Sequence, residues 1–270
     1  GEWCEPGVDS ASLMGKTPVD SATAYFAHSG RLLAEIAQIL GKEDDAKYYG
    51  EVAQKATLAF RDAATEDGKI TGERQAPYVR AVAFDLLTEE NKKQAVEDLN
   101  ALVVNNAYHL NTGFLSTPFL CQVLAENGHV DTAYRLLLQD TAPSWLYEVK
   151  KGANTIWETW EGIDENGVPH ASLNHYSYGA ICGWLFGGVC GIHLQNKKLC
   201  IHPYPAKDLG HAKAEYLSPV GKIVSAWEYE GEEIHYSFEI PANMTAEIVL
   251  EDGQRRTLAA GKHTMVSKTA

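Results

Sequence analysis

Apolar residues recur at helical spacing through the first part of the chain. Between Val19 and Leu40 they follow the i, i+3, i+4, i+7 rule, with Ser29 the one polar member of a set that comprises Ala22, Tyr25, Phe26, Leu32, Leu33, Ile36, Ala37 and Leu40. Glu43 to Phe60 repeats the pattern, and Gly41 predicts the end of the first helix. Two amphipathic helices joined by a short loop predict an antiparallel hairpin.

The same arrangement recurs further along the chain. Gln75 to Leu87 pairs with Lys92 to Val104, and Pro118 to Asn127, with Thr117 as its N-cap, pairs with Asp131 to Gln139. A last, unusually apolar helix is predicted from Asn174 to Val189. Successive hairpins predict a mainly α fold over residues 1–191, a toroid of paired helices, and no alternation of strands and helices is found.

After Gly191 the period of the pattern changes. Short β-prone runs follow one another, separated by turn residues such as Pro241-Ala242-Asn243 and Asp252-Gly253. The runs are 199–202, 209–216, 221–229, 234–240, 246–250 and 263–267. An Asp-Gly pair between two such runs is typical of a hairpin. Residues 192–270 are therefore predicted to form a small all-β sandwich domain.

Composition and charge exclude several classes of partner. The 270 residues carry 36 acidic and 23 basic side chains, a net charge of −13, which is the wrong sign for binding nucleic acid or anionic lipid. No stretch approaches the roughly 20 apolar residues of a membrane span. The five cysteines form no CxxC pair, so neither a zinc site nor a full disulfide framework is predicted.

Aromatic and acidic side chains are densest between residues 143 and 162. Trp145, Trp157 and Trp160 alternate there with Glu148, Glu158 and Glu161. Sugars pack their C–H faces on aromatic rings, and glycosidic cleavage uses two carboxyl groups, so this composition gives weak support for a carbohydrate site. Taken alone, however, the pattern is more typical of three tryptophans that anchor a core, with glutamates on the surface between them.

Two further segments carry candidate chemistry. Ser172-Leu173-Asn174-His175-Tyr176 opens the apolar helix, with Asn174 as the predicted N-cap and His175 in the first turn. No second His or Cys stands at ligand spacing from His175, so neither a metal site nor a cofactor is expected. The segment Gly1 to Gly7 places Trp3 between Glu2 and Glu5.

Together these segments resemble the bacterial α-L-rhamnosidases of glycoside hydrolase family 78. Residues 152–162, GANTIWETWEG, are similar to that family's GATTIWERWDG segment, and residues 172–176 are similar to its SLNHY segment. Residues 112–118 match TGFLGTP, and residues 143–147 match the end of YPSWLY. Several motifs in the family's order make the resemblance specific, and it covers nearly the whole chain.

The resemblance implies an (α/α)6 toroid followed by a β-sandwich, and hydrolysis of terminal α-L-rhamnosyl residues with inversion. Glu158 matches the general base, while His175 and Trp3 match residues that line the sugar pocket. Glu2 stands where the family's GDW segment has Asp. Trp160 and Trp145 are expected to be pocket walls or supports. The predicted substrate-binding residues are therefore Trp3, His175, Glu2, Trp160 and Trp145.

The family's general acid lies upstream of the GDW segment, and no matching stretch occurs in this chain. We therefore expect a piece of a longer bacterial enzyme, cytoplasmic or exported, that binds α-L-rhamnosides, is inactive alone and self-associates through an incomplete toroid edge. Three alternatives stay open. They are a non-catalytic carbohydrate-binding module, another (α/α)6 hydrolase or phosphorylase, and a scaffold half with no function of its own.

Overall fold

The computed structural model describes residues 2–8, 19–195 and 198–269, so Gly1 of the Gly1-Glu2-Trp3 segment lies outside the described residues. The chain divides into two compact units, Gly1–Gly179 and Ala180–Ala270. The first is helical and the second contains all six strands. This agrees with the predicted order of a helical part and an all-β part, while the predicted boundary at residues 191/192 stays a prediction.

In the described part of the helical unit there are three helix hairpins and one short helix. The hairpins are α1 (Val19–Ile39) with α2 (Glu43–Ala64), α3 (Gln75–Ala83) with α4 (Glu89–Asn105), and α5 (Thr117–Glu126) with α6 (Val130–Leu137), followed by α7 (Trp145–Lys150). Helix α7 is absent from the sequence prediction because six residues are too few to show a helical period. Large buried side chains such as Phe60, Phe84, Leu99 and Leu120 fill the spaces between the hairpins.

The apolar stripe predicted on α1 is only partly buried in this chain. The helix buries small residues, among them Ala24 and Ala27, and the approach to α2 is so close that a side chain at Gly30 would lie 3.3 Å from the Ala53 Cβ. The large apolar residues of the predicted stripe are exposed instead, including Phe26 at 59% and Ile36 at 51%. Where two helix backbones pack closely, only small side chains fit between them, and the spacing of large apolar residues does not predict such a contact.

Two predicted helix starts are shifted. Helix α5 begins at Thr117, one residue earlier than predicted, so Ser116 and not Thr117 occupies the N-cap position. The Thr117 hydroxyl donates to the carbonyl oxygen of Gly113, four residues before it. The apolar helix starts as a 3-10 turn at Ser177–Ala180 and continues as α8 (Ile181–Trp184) and a π-helical turn (Leu185–Val189). It does not reach Asn174, because the amide of His175 bonds to the Ile156 carbonyl of a neighbouring loop.

The second unit contains a connected sheet of six strands. They are β1 (Ile192–Gln195), β2 (Lys198–Ile201), β3 (His211–Ser218), β4 (Gly221–Glu230), β5 (Glu233–Val249) and β6 (Arg255–Lys268). Strand order is β1-β2-β5-β4-β3, and β6 pairs with β5 along most of its length. All pairs are antiparallel except β2 with β5. The core of the unit includes Trp227 and Tyr236.

Strand β5 replaces two predicted strands. Pro241-Ala242-Asn243, predicted as a turn, lies within it, where the register with β6 shifts between Ile240 and Thr245. Asn243 takes a positive φ of 62°, and proline lacks a ladder donor, so the segment forms an irregularity that bends the strand without reversing it. The first half of β5 pairs with β4 and the second half with β2, so this strand connects the two parts of the sheet.

The predicted Asp252-Gly253 turn does connect two strands. The Leu250 amide donates to the Gln254 carbonyl at 2.9 Å, and Gly253 has a φ of +81°, which glycine adopts without strain. Within residues 2–8, 19–195 and 198–269, none of the helices combines the length and apolar character that crossing a bilayer requires.

Candidate active site

The carboxylate of Glu2 is buried and fully engaged. Its Oε1 accepts hydrogen bonds from the amides of Gly113 and Ser116, at 2.8 and 2.9 Å, and its Oε2 forms an ion pair with Arg80. Arg80 is itself fully buried and also pairs with Asp20 at 2.6 Å. Burial raises the pKa of Glu2, while the Arg80 charge and the Ser116 donors oppose that rise. Glu2 thus ties the N-terminal segment to the loop before α5.

The N-terminal segment and this loop approach each other closely. A Cβ at Gly113 would lie 2.1 Å from the carbonyl oxygen of Trp3, so no residue with a side chain fits there without a shift. A second buried carboxylate, Glu5, forms a bidentate pair with Arg74, with distances of 2.8 and 2.5 Å. Carboxylate anchors on either side of Trp3 therefore fix the backbone of the segment.

Trp3 is the exposed side chain that this anchored segment presents. Its indole is 38% exposed, while its carbonyl oxygen accepts the Phe114 amide at 2.9 Å. The next carbonyl, that of Cys4, accepts the Tyr178 hydroxyl at 2.6 Å. With the backbone held in this way, the ring has a defined position and an accessible surface.

Aromatic rings pack around Tyr178. It stacks on Trp160 with ring centroids 3.8 Å apart, meets Phe114 edge-on at 5.1 Å, and accepts the Trp145 indole N–H on its carbonyl oxygen at 3.0 Å. The Trp160 indole donates to the Thr112 carbonyl at 3.2 Å. Trp145 and Trp160 are only 6% and 3% exposed, so their observed role is to support the neighbouring loops, and direct contact with a sugar stays a prediction.

Glu158 lies on a loop that pairs with residues 172–175. Its amide donates to the Ser172 carbonyl at 2.9 Å, and its Oε2 accepts the Ser172 amide at 3.1 Å. The Thr155 hydroxyl donates to Leu173, which adds a third bond between the two segments. Glu158 is half-buried, and its Oε1 has no hydrogen-bond partner among the described residues. One oxygen is therefore fixed and the other is available.

The imidazole of His175 is oriented by its neighbours. Its Nδ1 accepts the Ser177 amide at 3.3 Å, which places the proton of the neutral ring on Nε2. The ring stacks on Phe114 at 5.0 Å and on Tyr176 at 5.2 Å. Nε2 has no hydrogen-bond partner in the part of the chain that the structure describes. The half-buried imidazole thus offers one donor N–H.

The structure links three of the predicted site residues through Phe114 and the paired loops. Phe114 bonds to the Trp3 backbone and stacks on His175, whose amide bonds to the Ile156 carbonyl two residues before Glu158. These three side chains are exposed or half-buried, whereas Glu2, Trp145 and Trp160 are buried behind them. Among the described residues, no cluster of three His, Cys, Asp or Glu side chains is arranged to hold a metal ion.

Glu148 is a buried carboxyl group to which sequence reasoning assigned no role. Its side chain is 2% exposed, Oε2 accepts the Trp157 amide at 3.2 Å, and Oε1 has no partner among the described residues. Burial raises its pKa to about 7, although the Trp157 N–H acts in the opposite direction. The sequence indicates its burial in one way only: Glu148 lies three residues after Trp145, which places both on the same face of α7.

Two known protein families match this chain. The bacterial alpha-L-rhamnosidase 6 hairpin glycosidase domain matches residues 1–189, and the bacterial alpha-L-rhamnosidase C-terminal domain matches residues 196–265. An alpha-L-rhamnosidase of Formosa agariphila is 37% identical over 267 residues, which is 95% of this chain and 29% of that protein. One of Streptomyces avermitilis is 37% identical over 249 residues, 89% of this chain and 24% of that protein.

Solved structures show the same similarity. The crystal structure of Streptomyces avermitilis alpha-L-rhamnosidase complexed with L-rhamnose superposes with a TM-score of 0.88 at 32% identity, covering 99% of this chain and 28% of that one. Native rhamnosidase from Aspergillus terreus gives 0.90 at 30% identity, covering 98% and 32%. The chain therefore spans less than a third of the length of these relatives.

The ion pair between Glu2 and Arg80 yields a stability prediction. Arg80→Ala leaves Glu2 buried without its counter-charge, and we expect the free energy of unfolding to fall by about 3–5 kcal/mol. Lys92→Ala, which removes a surface pair with Asp85, is the matched control and should cost less than about 1 kcal/mol. Urea denaturation checks both variants. Equal small losses would contradict a structural role for the buried pair.

Glu148 predicts a pH dependence of stability. Its pKa is raised in the folded state, so its stabilising contribution is present below the ordinary value of 4.5 and is lost as pH rises towards about 7. Between these limits we expect the wild type to lose roughly 3 kcal/mol relative to Glu148→Gln, which does not titrate. Urea denaturation of both proteins between pH 4.5 and 8 measures the difference. A difference that stays constant over this range would show that Glu148 has an ordinary pKa.

Proposed function

Since this chain belongs to the bacterial alpha-L-rhamnosidase 6-hairpin glycosidase family, we propose that it is the C-terminal part of a longer enzyme that removes terminal α-L-rhamnosyl residues with inversion. In this proposal Glu158 is the general base. The observation that carries it is the state of the Glu158 carboxylate, half-buried with Oε2 held by the Ser172 amide and Oε1 without a partner among the described residues. The similar Streptomyces avermitilis enzyme was crystallised with L-rhamnose, which supports the choice of sugar.

In the proposed reaction the two oxygens of Glu158 have different roles. Oε2 stays on the Ser172 amide and fixes the orientation of the group, while Oε1 accepts a proton from water. That water attacks the anomeric carbon on the face opposite the leaving oxygen, and the glycosidic bond breaks as a general acid protonates that oxygen. In inverting enzymes the two carboxyl groups stand about 6.5–9.5 Å apart to admit the water. We assign the acid to the part of the enzyme outside these residues.

Two side chains are proposed to hold the sugar. The Nε2–H of His175 is oriented by the bond at Nδ1 and donates to a hydroxyl group, and the exposed indole of Trp3 packs against a C–H face. Glu2 acts through Trp3 by fixing its backbone, because both Glu2 oxygens are already engaged. Trp145 and Trp160 act as supports of the loops that carry Glu158 and His175.

The exposed apolar face of α1 is proposed to be an association surface. Its members are 44–74% exposed and comprise Phe26, Leu32, Leu33, Ile36, Ile39 and Leu40. Such a continuous apolar patch is unusual on a monomer and typical of an interface. In the longer enzyme we expect upstream helices to cover it, and in the 270-residue chain we expect a second copy to do so.

The catalytic proposal predicts that Glu158→Gln in the longer enzyme lowers turnover of an aryl α-L-rhamnoside by about 10²–10⁴-fold while affinity for the sugar is retained, since the amide cannot accept the proton. Glu161→Gln, an exposed acid in the same loop, is the control and should leave turnover unchanged. Steady-state kinetics and inhibition by L-rhamnose measure the two effects. Wild-type turnover in Glu158→Gln would favour the non-catalytic sugar-binding alternative.

The 270-residue chain alone is predicted to show no turnover across a panel of aryl glycosides, because we assign the general acid to a part of the enzyme outside these residues. Turnover that depends on Glu158 would show that an acid within this chain fulfils that role, and would overturn the assignment of the acid to residues outside it.

The apolar face predicts concentration-dependent association of the 270-residue chain. Sedimentation velocity should show dimers that Ile36→Glu reduces, because the charge would be buried at the interface. Leu217→Glu, at a residue 83% exposed in the second unit, is the control and should leave association unchanged. A monomer at every concentration would rule out association through α1.

A further inference from the structure

Glu148 occupies a position where a charged residue is expensive. It lies on α7 on the same face as Trp145, and both side chains are buried. One oxygen of its carboxyl group has no partner among the described residues, and the raised pKa of the group reflects that burial. An apolar side chain of similar size would fill the space without this cost. Packing alone therefore does not account for a carboxyl group here.

The same residue holds the loop that leads to Glu158 at two points. Its main-chain carbonyl accepts the Ala153 amide at 3.0 Å, and its side-chain Oε2 accepts the Trp157 amide at 3.2 Å. The second bond reaches the residue immediately before Glu158. A short helix and the loop after it are thus joined by one amino acid.

The bonds along the loop alternate in direction. The Trp157 amide points to Glu148, whereas the next amide, that of Glu158, and the Ile156 carbonyl point to the segment 172–175. In an extended chain the N–H and C=O of one residue point to one side and those of the next residue point to the other, so each side needs its own partners. Backbone groups supply the partners on the 172–175 side, and the Glu148 side chain supplies the partner of Trp157.

The side chain of Trp157 is also fixed by packing. It is 2% exposed, and Gly162 lies so close that a Cβ there would be 2.8 Å from the indole ring. The ring and the amide of Trp157 are therefore both held, the first by packing and the second by Glu148. The residue that follows this doubly held position is Glu158.

We propose that Glu148 is a positioning residue for the reaction: its acceptor oxygen, through the Trp157 amide, fixes the place of the Glu158 carboxylate. This inference rests on the proposed role of Glu158 as general base. In this proposal the role of Glu148 depends on its acceptor oxygen and not on a negative charge. Glutamine at position 148 keeps an acceptor oxygen and should therefore function, whereas leucine fills the space without one.

The first test uses the 270-residue chain and needs no activity. Hydrogen exchange at the amides of residues 153–158 is compared in the wild type, Glu148→Gln and Glu148→Leu. We expect the Trp157 amide to lose protection by at least about tenfold in Glu148→Leu, and to keep it in Glu148→Gln, while exchange in α3 and α4 is unchanged. Equal protection of Trp157 in all three proteins would overturn the proposal.

The second test measures kinetics in the longer enzyme. A displaced catalytic group costs about 10²-fold for a shift of 1 Å, so kcat should fall by at least about tenfold in Glu148→Leu with KM little changed, and Glu148→Gln should restore it. Glu161→Leu, at an exposed position of the same loop, is the control and should keep the wild-type kcat. Equal kcat losses in Glu148→Leu and Glu148→Gln, or an unchanged kcat in both, would overturn the positioning role.

The failure of this proposal is distinguishable from failure of the catalytic one. If Glu158→Gln retains wild-type turnover, Glu158 is not the base and both assignments fall. If Glu158→Gln is inactive while Glu148→Leu keeps its kcat, the base assignment stands and the positioning role alone is refuted.

Discussion

The packing of one buried tyrosine connects the segments that form the candidate site. The hydroxyl of Tyr178 donates to the Cys4 carbonyl, its ring contacts Trp160 and Phe114, and its carbonyl accepts the Trp145 indole N–H. Burial raises the pKa of this phenol well above its ordinary value, so it stays a hydrogen-bond donor. Segments far apart in sequence are held around one side chain, and the positions of Trp3, His175 and Glu158 depend on it.

Helical period was sufficient to predict the three hairpins, because each helix is long and its hydrogen bonds are local. It did not predict that α1 buries small residues, such as Ala24 and Ala27, and that Gly30 lies close against Ala53 of α2. In the second unit, the turn residues Pro241-Ala242-Asn243 predicted a break where the structure has one strand, β5, which pairs with β6 on both sides of an irregularity. The buried residues of α1 and the continuity of β5 both depend on tertiary contacts, which a local pattern does not contain.

The candidate site was found by similarity of motifs, and the structure separates the roles of the residues that those motifs contain. Glu2 and Glu158 are both acids in matched segments, yet Glu2 is 1% exposed with all its acceptors engaged, while Glu158 is half-buried with one oxygen available. Sequence gave no means to tell an anchoring carboxylate from an available one. Glu148 shows the converse, because its burial against Trp157 depends on a loop that folds back onto α7.

In the proposed mechanism, Glu158 activates water on the face of the sugar opposite the leaving group. The configuration of the first sugar released tests this directly, because a single displacement inverts the anomeric carbon. Proton NMR of the longer enzyme with an aryl α-L-rhamnoside resolves the two anomers before they equilibrate. If Glu158 acts in this way, β-L-rhamnose forms first and Glu158→Gln suppresses its release. Initial release of the α-anomer would contradict it, because retention requires a covalent intermediate on a nucleophile.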